Sequence, residues 1–483
     1  MAFLRDKESY RYSTSLFLRG LALVYFIAFA SLIPQIAGLI GSHGILPASG
    51  YLNAVGMQFG SDRYVVLPTV FWFNSSNVFL RAVCWVGAGL AAVLFMGIAP
   101  LPILVLLWIL YLSIANVGQD FLLFQWDALL LEAGFAAILL VPHAWRRIEP
   151  KQPPLAARYV FQFLIFRLML ESGLVKLLSG DKTWRDLTAL NFHYETQPLP
   201  TPLAWYAHHL PDAFHKASVI GMFAVELLVP FLFWMPRRFR IIGAWITIVL
   251  QIAIAATGNY TFFNLLTIVL CIPLLDDRHL RKLLPWLKPG LEKPSAKHPV
   301  VTVFAVLLIS VGMFQLIETI SSARISIPGI AWLDSQIETW HVVNRYGLFA
   351  VMTTSRPEII VEGSNDGEHW QEYEFRFKAG DPNRAPRWVA PYQPRLDWQM
   401  WFAALSNYRN TTWFQQFAVH LLEGSPDILR LLRRNPFPAQ PPTLIRASVY
   451  DYHFSDSETR RNTGAWWTRE YLGEYLPPVS LKQ

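Results

Sequence analysis

The chain has 483 residues, of which 53% are hydrophobic and 16% are charged, with a mean hydropathy of +0.30 and a formal net charge of +7. In soluble domains about a quarter of the residues are charged. The composition of this chain therefore excludes an ordinary soluble protein and indicates a polytopic helical membrane protein. The net positive charge is not gathered into a basic tract of the kind that binds nucleic acid, and we expect no nucleic-acid partner.

Nine apolar segments approach the length of roughly 20 residues with which a helix crosses a bilayer. They cover residues 16–38, 78–98, 101–117, 121–141, 158–178, 218–235, 239–257, 259–275 and 299–319. The chain before the first span lacks the small-residue cleavage pattern of a signal peptide, so we expect this span to be retained.

Basic residues concentrate in four segments that alternate with the long connections 39–77 and 179–217. These basic residues are Arg5, Lys7 and Arg11; Arg146, Arg147, Lys151 and Arg158; Arg237, Arg238 and Arg240; and Arg278, Arg281, Lys282, Lys288, Lys293 and Lys297. Loops rich in lysine and arginine stay on the cytoplasmic side. An odd number of spans with a cytoplasmic N-terminus satisfies this rule and places both long loops and the C-terminal part outside.

The remainder of the chain, residues 321–483, is predicted to be an exterior α+β domain that follows the membrane domain of residues 1–320. Residues 358–378 alternate apolar and polar side chains around a Ser-Asn-Asp-Gly turn, which is typical of a β-hairpin. Two helical patterns then precede a strand-like segment at 444–454. We therefore expect a small sheet with a helical insertion, packed on the 179–217 loop because both lie on one side of the membrane.

Among the charged residues that fall within predicted spans, six are candidates for a buried charge network, because a charge there is costly and indicates either pairing or function. They are Asp127, Glu132, Arg167, Glu171, Lys176 and Glu226. Arg167 and Glu171 are four residues apart on one helix face and can pair, and the other carboxylates are expected to pair with Arg167 or Lys176. Lys176 either extends to the membrane interface or lines a site as a base. Glu171 and Lys176 are accordingly the candidate catalytic residues.

The loop at 179–217 mixes histidines and carboxylates with aromatic residues and prolines. Its spacing matches no metal motif such as a helical H-E-x-x-H, so we expect no metal and interpret the loop as a structured cap. Cys84 and Cys271 both lie in apolar runs, which excludes a disulfide framework and favours a bacterial envelope. Nucleotide and nucleophile-elbow motifs are also missing, and we assign neither a cofactor nor an enzymatic activity from motifs.

From Trp184 to Thr188, and again from Asn191 to Pro198, the chain resembles the lipase maturation factor family. The likeness continues through residues 226–230, 258–264, 345–349 and 395–403. It implies a chaperone-like multi-pass membrane protein, resident in the endoplasmic reticulum in animals, that helps secreted lipases mature. For this chain we expect a bacterial member in the inner membrane, or the endoplasmic reticulum if the source is eukaryotic. The partners expected are membrane lipids and an exported client protein, with lipases as the client class.

This resemblance marks a set of loop residues as candidates for contact with a client. They are Trp184, Arg185, Asp186, His193, Tyr194, Glu195, Gln197, His208 and His209. A shorter segment, residues 172–177 followed by Trp184, is similar to the membrane core of vitamin K-dependent γ-carboxylases. That second likeness implies an alternative function, a membrane enzyme or a quinone- or lipid-handling protein in which Lys176 is the base.

Overall fold

The computed structural model describes residues 8–141, 144–147, 151–287, 298–321 and 327–481. Arg5, Lys7, Lys288, Lys293 and Lys297 of the predicted cytoplasmic segments lie outside these ranges. The described helices are, in chain order, α1 (Arg11–Leu32), α2 (Ile36–Ile40), α3 (Ala48–Phe59), α4 (Arg63–Val66), α5 (Asn77–Phe95), α6 (Pro100–Val117), α7 (Gln125–Leu140), α8 (Leu155–Leu178), α9 (Lys182–Arg185), α10 (Ala189–Thr196), α11 (Pro202–His208), α12 (Asp212–Leu227), α13 (Val229–Leu232), α14 (Arg237–Thr257), α15 (Phe263–Cys271), α16 (Asp277–Leu283), α17 (Pro299–Ser321), α18 (Pro328–Ile337), α19 (Arg395–Ala404), α20 (Thr412–Leu422), α21 (Pro426–Leu429) and α22 (Ser457–Thr463).

Six helical segments of the described chain are long and apolar enough to cross a membrane, which supports a polytopic membrane protein. They are α1, α5, α6, α12 together with α13, α14 and α17. The other three predicted spans do not meet this standard, so the predicted count of nine is not confirmed. Helix α7 has 16 residues and reaches about 24 Å, short of the roughly 30 Å of hydrocarbon. Helix α8 is long enough but carries Arg167, Glu171 and Lys176, and α15 is only nine residues long.

Segments predicted to be cytoplasmic meet at one end of the helical part. The Asp277 carboxylate accepts hydrogen bonds from the backbone nitrogens of Arg11, at 2.9 Å, and Ser13, at 3.1 Å. The carboxylate therefore satisfies free N–H groups at the start of α1, and its negative charge interacts favourably with the positive end of the helix dipole. Beside it, Arg237 pairs with Asp276 at 2.6 Å.

The two long loops and the C-terminal domain meet at the opposite end. In the first loop, the carbonyl oxygen of His43 accepts a hydrogen bond from the Ser425 hydroxyl at 3.1 Å, and near the second loop Asn259 accepts one from the backbone nitrogen of Val389 at 2.7 Å. Thr201, in the second loop, donates to the carbonyl oxygen of Ala256 at 2.7 Å. The helix bundle thus separates the two sets of segments that the charge pattern assigned to opposite sides.

The C-terminal domain is built on a four-stranded antiparallel sheet, β1 (Pro357–Ser364), β2 (Gln371–Glu372), β3 (Leu444–Phe454) and β4 (Trp467–Val479). The strand order is β2-β1-β3-β4, and Val361 pairs with Ala447 in the central register. Helices α19, α20 and α21 lie between β2 and β3 in the chain, as expected for a small sheet with a helical insertion. The predicted hairpin is present, although β2 is short.

The main apolar core runs without interruption from the membrane helices into the C-terminal domain. Trp126 of α7 stacks on Phe124, with ring centroids 4.5 Å apart, and meets Trp398 of α19 edge-on at 4.8 Å. Phe121 contacts Trp413 of α20 at 5.7 Å. The domain is therefore held against the bundle by aromatic packing, and its removal would uncover part of the bundle core.

Candidate functional site

The six charged residues of the predicted membrane network are divided among three separate buried groups. In the first, Arg167 pairs with Glu132 on the neighbouring helix α7 at 2.5 Å. The second oxygen of Glu132 accepts hydrogen bonds from the backbone nitrogen of Asn344 and the hydroxyl of Tyr346, both at 2.7 Å. Arg167 therefore does not form its ion pair with Glu171 along the helix, because a carboxylate on α7 lies directly opposite the guanidinium.

Glu171 binds the segment that leads into the C-terminal domain. Its Oε2 accepts a hydrogen bond from the backbone nitrogen of Tyr346 at 2.9 Å, and its Oε1 is buried without a partner among the described residues. Since Lys176 pairs elsewhere, Glu171 is not its counter-ion. The contact gives Glu171 a structural part in holding residues 344–346 against α8.

The second group joins the membrane helices to the C-terminal domain. Arg395, fully buried at the start of α19, donates from both terminal nitrogens to Asp127, at 2.9 and 3.0 Å. Arg395 also donates to the carbonyl oxygen of Phe121 at 2.6 Å, and the Tyr111 hydroxyl donates to the Asp127 carboxylate. Such a bidentate pair fixes both distance and orientation. Asp127 thus pairs with a residue outside the membrane spans and not, as predicted, with Arg167 or Lys176.

The third group is the ion pair between Lys176 of α8 and Glu226 of α12. The ammonium nitrogen lies 3.1 and 2.9 Å from the two carboxylate oxygens and 2.9 Å from the carbonyl oxygen of Ser172. It also lies 5.7 Å from the centre of the Trp184 ring. Lys176 is 6% exposed, so its ammonium lies inside the protein, paired with Glu226.

A cavity of about 460 Å³ adjoins this ion pair. It lies between the helices α8, α12, α14 and α15 on one side and the 179–217 loop on the other. Most of its wall is apolar. Its polar lining comes from Lys176, Glu226, His193, Gln251, Asn264 and Tyr260, among others. This volume lies in the range of small-molecule sites, and the location brings residues of both the loop and the spans to one place.

His193 connects the loop to the cavity wall. Its Nε2 lies 2.9 Å from the hydroxyl of Tyr260, which in turn donates to Oε1 of Gln197 at 2.8 Å. Burial, with a smaller contribution from the charge of Lys176, lowers the pKa of His193 from 6.5 to about 4. The imidazole is consequently neutral at physiological pH.

The remaining loop candidates divide into structural and exposed residues. The Trp184 indole donates to the carbonyl oxygen of Phe349 at 3.0 Å, and buried Glu195 accepts from the backbone nitrogen of Phe454 at 2.9 Å. His208 lies 3.7 Å from Glu195. Tyr194 is buried, whereas the candidates Arg185, Asp186 and His209 are exposed. In the described part of the chain, no three His, Cys, Asp or Glu residues form a group that could hold a metal ion.

Arg356 fastens the C-terminal domain to the 179–217 loop, so the expected packing of the domain on this loop is present. Fully buried, it donates to the backbone carbonyls of Glu195, Gln197 and Pro198 and pairs with Glu358 at 2.7 Å. Arg356 could not be predicted from the sequence, because one arginine before a strand carries no local signal of its partners. Arg395, Tyr260 and Tyr346 did lie in the segments of family likeness, but their roles were not assigned.

An apolar groove of about 480 Å³ lies between the membrane helices and the C-terminal domain. Four of its lining residues have large exposed fractions: Leu123 (71%), Val351 (67%), Phe402 (44%) and Leu405 (42%). Trp126, Trp398 and Trp401 form its floor, and the Trp401 indole donates to the carbonyl oxygen of Thr196 at 2.8 Å. Exposed apolar surface bordered by fixed aromatic residues is typical of a site that binds another protein.

Two family descriptions match this chain. "Lipase maturation factor transmembrane domain" covers residues 12–282, and "Lipase maturation factor C-terminal domain" covers residues 342–477. No solved structure matches the chain.

Similar proteins include lipase maturation factor 2 of Gallus gallus, 36% identical over 98% of this chain and 82% of the relative. Lipase maturation factor 2 of Homo sapiens is 36% identical over 98% of this chain and 83% of its own length. Lipase maturation factor 1 of Mus musculus is 37% identical over 96% of this chain and 86% of its own length. These vertebrate relatives do not support the expected bacterial source. By its match to the family over nearly its whole length, the chain belongs to the lipase maturation factor family.

Proposed function

We propose that this chain is a membrane-embedded folding and maturation factor for exported proteins, with lipases as its clients. The client class follows from the names of its relatives. The observation that carries the proposal is the apolar groove lined by Leu123, Val351, Phe402 and Leu405, beside a domain fixed by Arg395 and Arg356. A partly folded client exposes apolar segments, and a rigid apolar groove can bind them at little cost in conformational entropy.

In this proposal the groove and the 179–217 loop face the exterior, the N-terminus is cytoplasmic, and residues 321–483 act as an exterior domain. The chain works in the membrane that exported proteins cross, which is the endoplasmic reticulum in a eukaryotic source and the inner membrane in a bacterial one. The charge pattern and the meeting of the two loops at one end of the bundle support this orientation.

The orientation can be tested because Cys84 and Cys271 are free and buried. Exposed Ser61 lies in the first long loop, and exposed Arg238 lies at the opposite end of the bundle. We expect an impermeant thiol reagent to label Ser61→Cys from the exterior and Arg238→Cys only after the membrane is opened. The reverse pattern would refute the proposed orientation.

The client proposal can be tested by placing a charge in the groove. Leu405→Glu should lower the yield of active lipase from cells that depend on this chain, because a carboxylate opposes binding of apolar segments. Leu472→Glu is the matched control, since Leu472 is 56% exposed on β4 and is not part of the groove lining. Equal lipase yield from both variants, at equal levels of folded protein, would exclude the groove as the client site.

The alternative function, an enzyme with Lys176 as base, receives no support from this geometry. The Lys176 ammonium donates to Glu226 and to Ser172. An ion-paired ammonium has no free electron pair with which to accept a proton.

A further inference from the structure

The cavity beside Lys176 has an apolar rim at the edge of the helix bundle. Leu210 and Phe214, which line it near the start of α12, are 41% and 50% exposed. Only 28% of the residues in the most apolar stretch of the α12–α13 span, and 33% of those in the most apolar stretch of α14, are buried. Both helices therefore turn much of their surface outward. In a bilayer, this outward surface is in contact with lipid tails, and the cavity is therefore accessible to a lipid.

The ion pair at the cavity wall has no spare positive charge. Lys176 is the only lysine or arginine lining the cavity in the described chain, and Glu226 balances it. The three N–H donors of the ammonium are matched by two Glu226 oxygens and the Ser172 carbonyl. An anionic headgroup would find no free cation here, and the repulsion of Glu226 would oppose it.

The cavity wall instead has an excess of hydrogen-bond acceptors. Each Glu226 oxygen can accept further bonds beyond the one from Lys176. Asn264 is 5% exposed and donates to Oε1 of Gln251 at 2.8 Å, while its own carbonyl oxygen accepts no bond from the described residues.

His193 adds another acceptor. Because the Tyr260 hydroxyl donates to Gln197, it must accept the proton of His193 Nε2, so the neutral ring carries its hydrogen on Nε2. The other ring nitrogen, Nδ1, is then an acceptor, and it is buried without a partner in the described chain.

We propose that this cavity binds a single-chain lipid with an uncharged, hydroxyl-bearing head, of the monoacylglycerol class. The hydroxyl groups donate to acceptors of the Glu226, Asn264 and His193 set, and the acyl chain lies along the apolar wall formed by residues such as Leu168, Leu250 and Phe263. A volume of about 460 Å³ accommodates one chain rather than two. This cavity adjoins the groove proposed for clients, with Tyr260, Leu348 and Phe349 lining both, but lipid binding in it does not depend on client binding in the groove.

The probe is a monoacylglycerol with a photoreactive diazirine in its acyl chain, applied to the purified full chain in detergent. We expect crosslinks on α8, α12 and α14. Ala256→Phe places a ring in the cavity and should reduce labelling about tenfold. Ala255→Phe, at a neighbouring residue outside the lining, should leave labelling unchanged.

Competition on the unaltered chain tests the headgroup and does not depend on the folding of any variant. A tenfold excess of unlabelled monopalmitoylglycerol should reduce labelling about tenfold, and the same excess of palmitate or phosphatidylcholine should not. Equal competition by palmitate would overturn the uncharged head, and equal competition by phosphatidylcholine would overturn the single chain. Equal labelling of the two alanine variants, both eluting as folded protein, would overturn the site itself.

Discussion

Removing the Arg395 side chain should release the C-terminal domain from the membrane helices. Arg395 and Asp127 are 0% and 1% exposed, and Arg395→Met leaves the carboxylate buried without its charge partner. Breaking one side of such a pair costs about 3–5 kcal/mol. Since each 1.4 kcal/mol is a factor of ten, the population with a detached domain should rise roughly 10²- to 4 × 10³-fold.

Limited proteolysis in detergent measures this population when the domain reopens and closes faster than it is cut. Arg395→Met should be cleaved faster in proportion, and adding Asp127→Asn should recover at least about tenfold because no charge then remains buried. Arg430→Met is the matched control, since Arg430 forms an exposed pair with Asp427 that is worth at most about 1 kcal/mol. The reasoning fails if Arg395→Met is cleaved as slowly as the parent, or if the double variant is as labile as the single one.

Three further predictions concern the loop and the cavity. The pKa of His193 is lower in the folded chain than its usual 6.5, so the unfolded state binds the proton more tightly and stability should fall as pH drops from 6.5 towards 4. In His193→Gln, the fall in the free energy of unfolding between pH 7.5 and pH 5 should be smaller by about 2 kcal/mol than in the parent chain. The Tm difference between the two pH values should shrink accordingly, and an unchanged difference would contradict this prediction. Arg356→Met should speed cleavage within residues 179–217, because three buried carbonyls lose their donor at about 1–3 kcal/mol each; exposed Arg409→Met is its control. Tyr346→Phe removes a donor to buried Glu132 and should lower Tm, whereas exposed Tyr64→Phe should not.

The division of the chain into apolar helices and an α+β C-terminal part follows directly from its sequence. Hydrophobic runs long enough to span a bilayer and alternating residues in a hairpin are local patterns, and local patterns are readable without a fold. The count of spans was less certain because α7 and α15 are short and α8 carries charges.

The pairing of the charged residues could not be read in the same way. Arg167 and Glu171 share a helix face, yet Arg167 binds Glu132 on another helix and Glu171 binds the backbone of Tyr346. Spacing along one helix reports which side chains can meet within it, and it carries no information about which helix packs alongside.

Composition and charge pattern were therefore sufficient for the membrane character, the alternation of loops, and the residues at which burial of charge had to be explained. Tertiary packing alone assigned Asp127 to Arg395 and Lys176 to Glu226, across 268 and 50 residues of chain. A buried charge is tolerated wherever the fold brings an opposite charge within hydrogen-bonding distance, and that distance is a property of the packed helices rather than of any segment of the sequence.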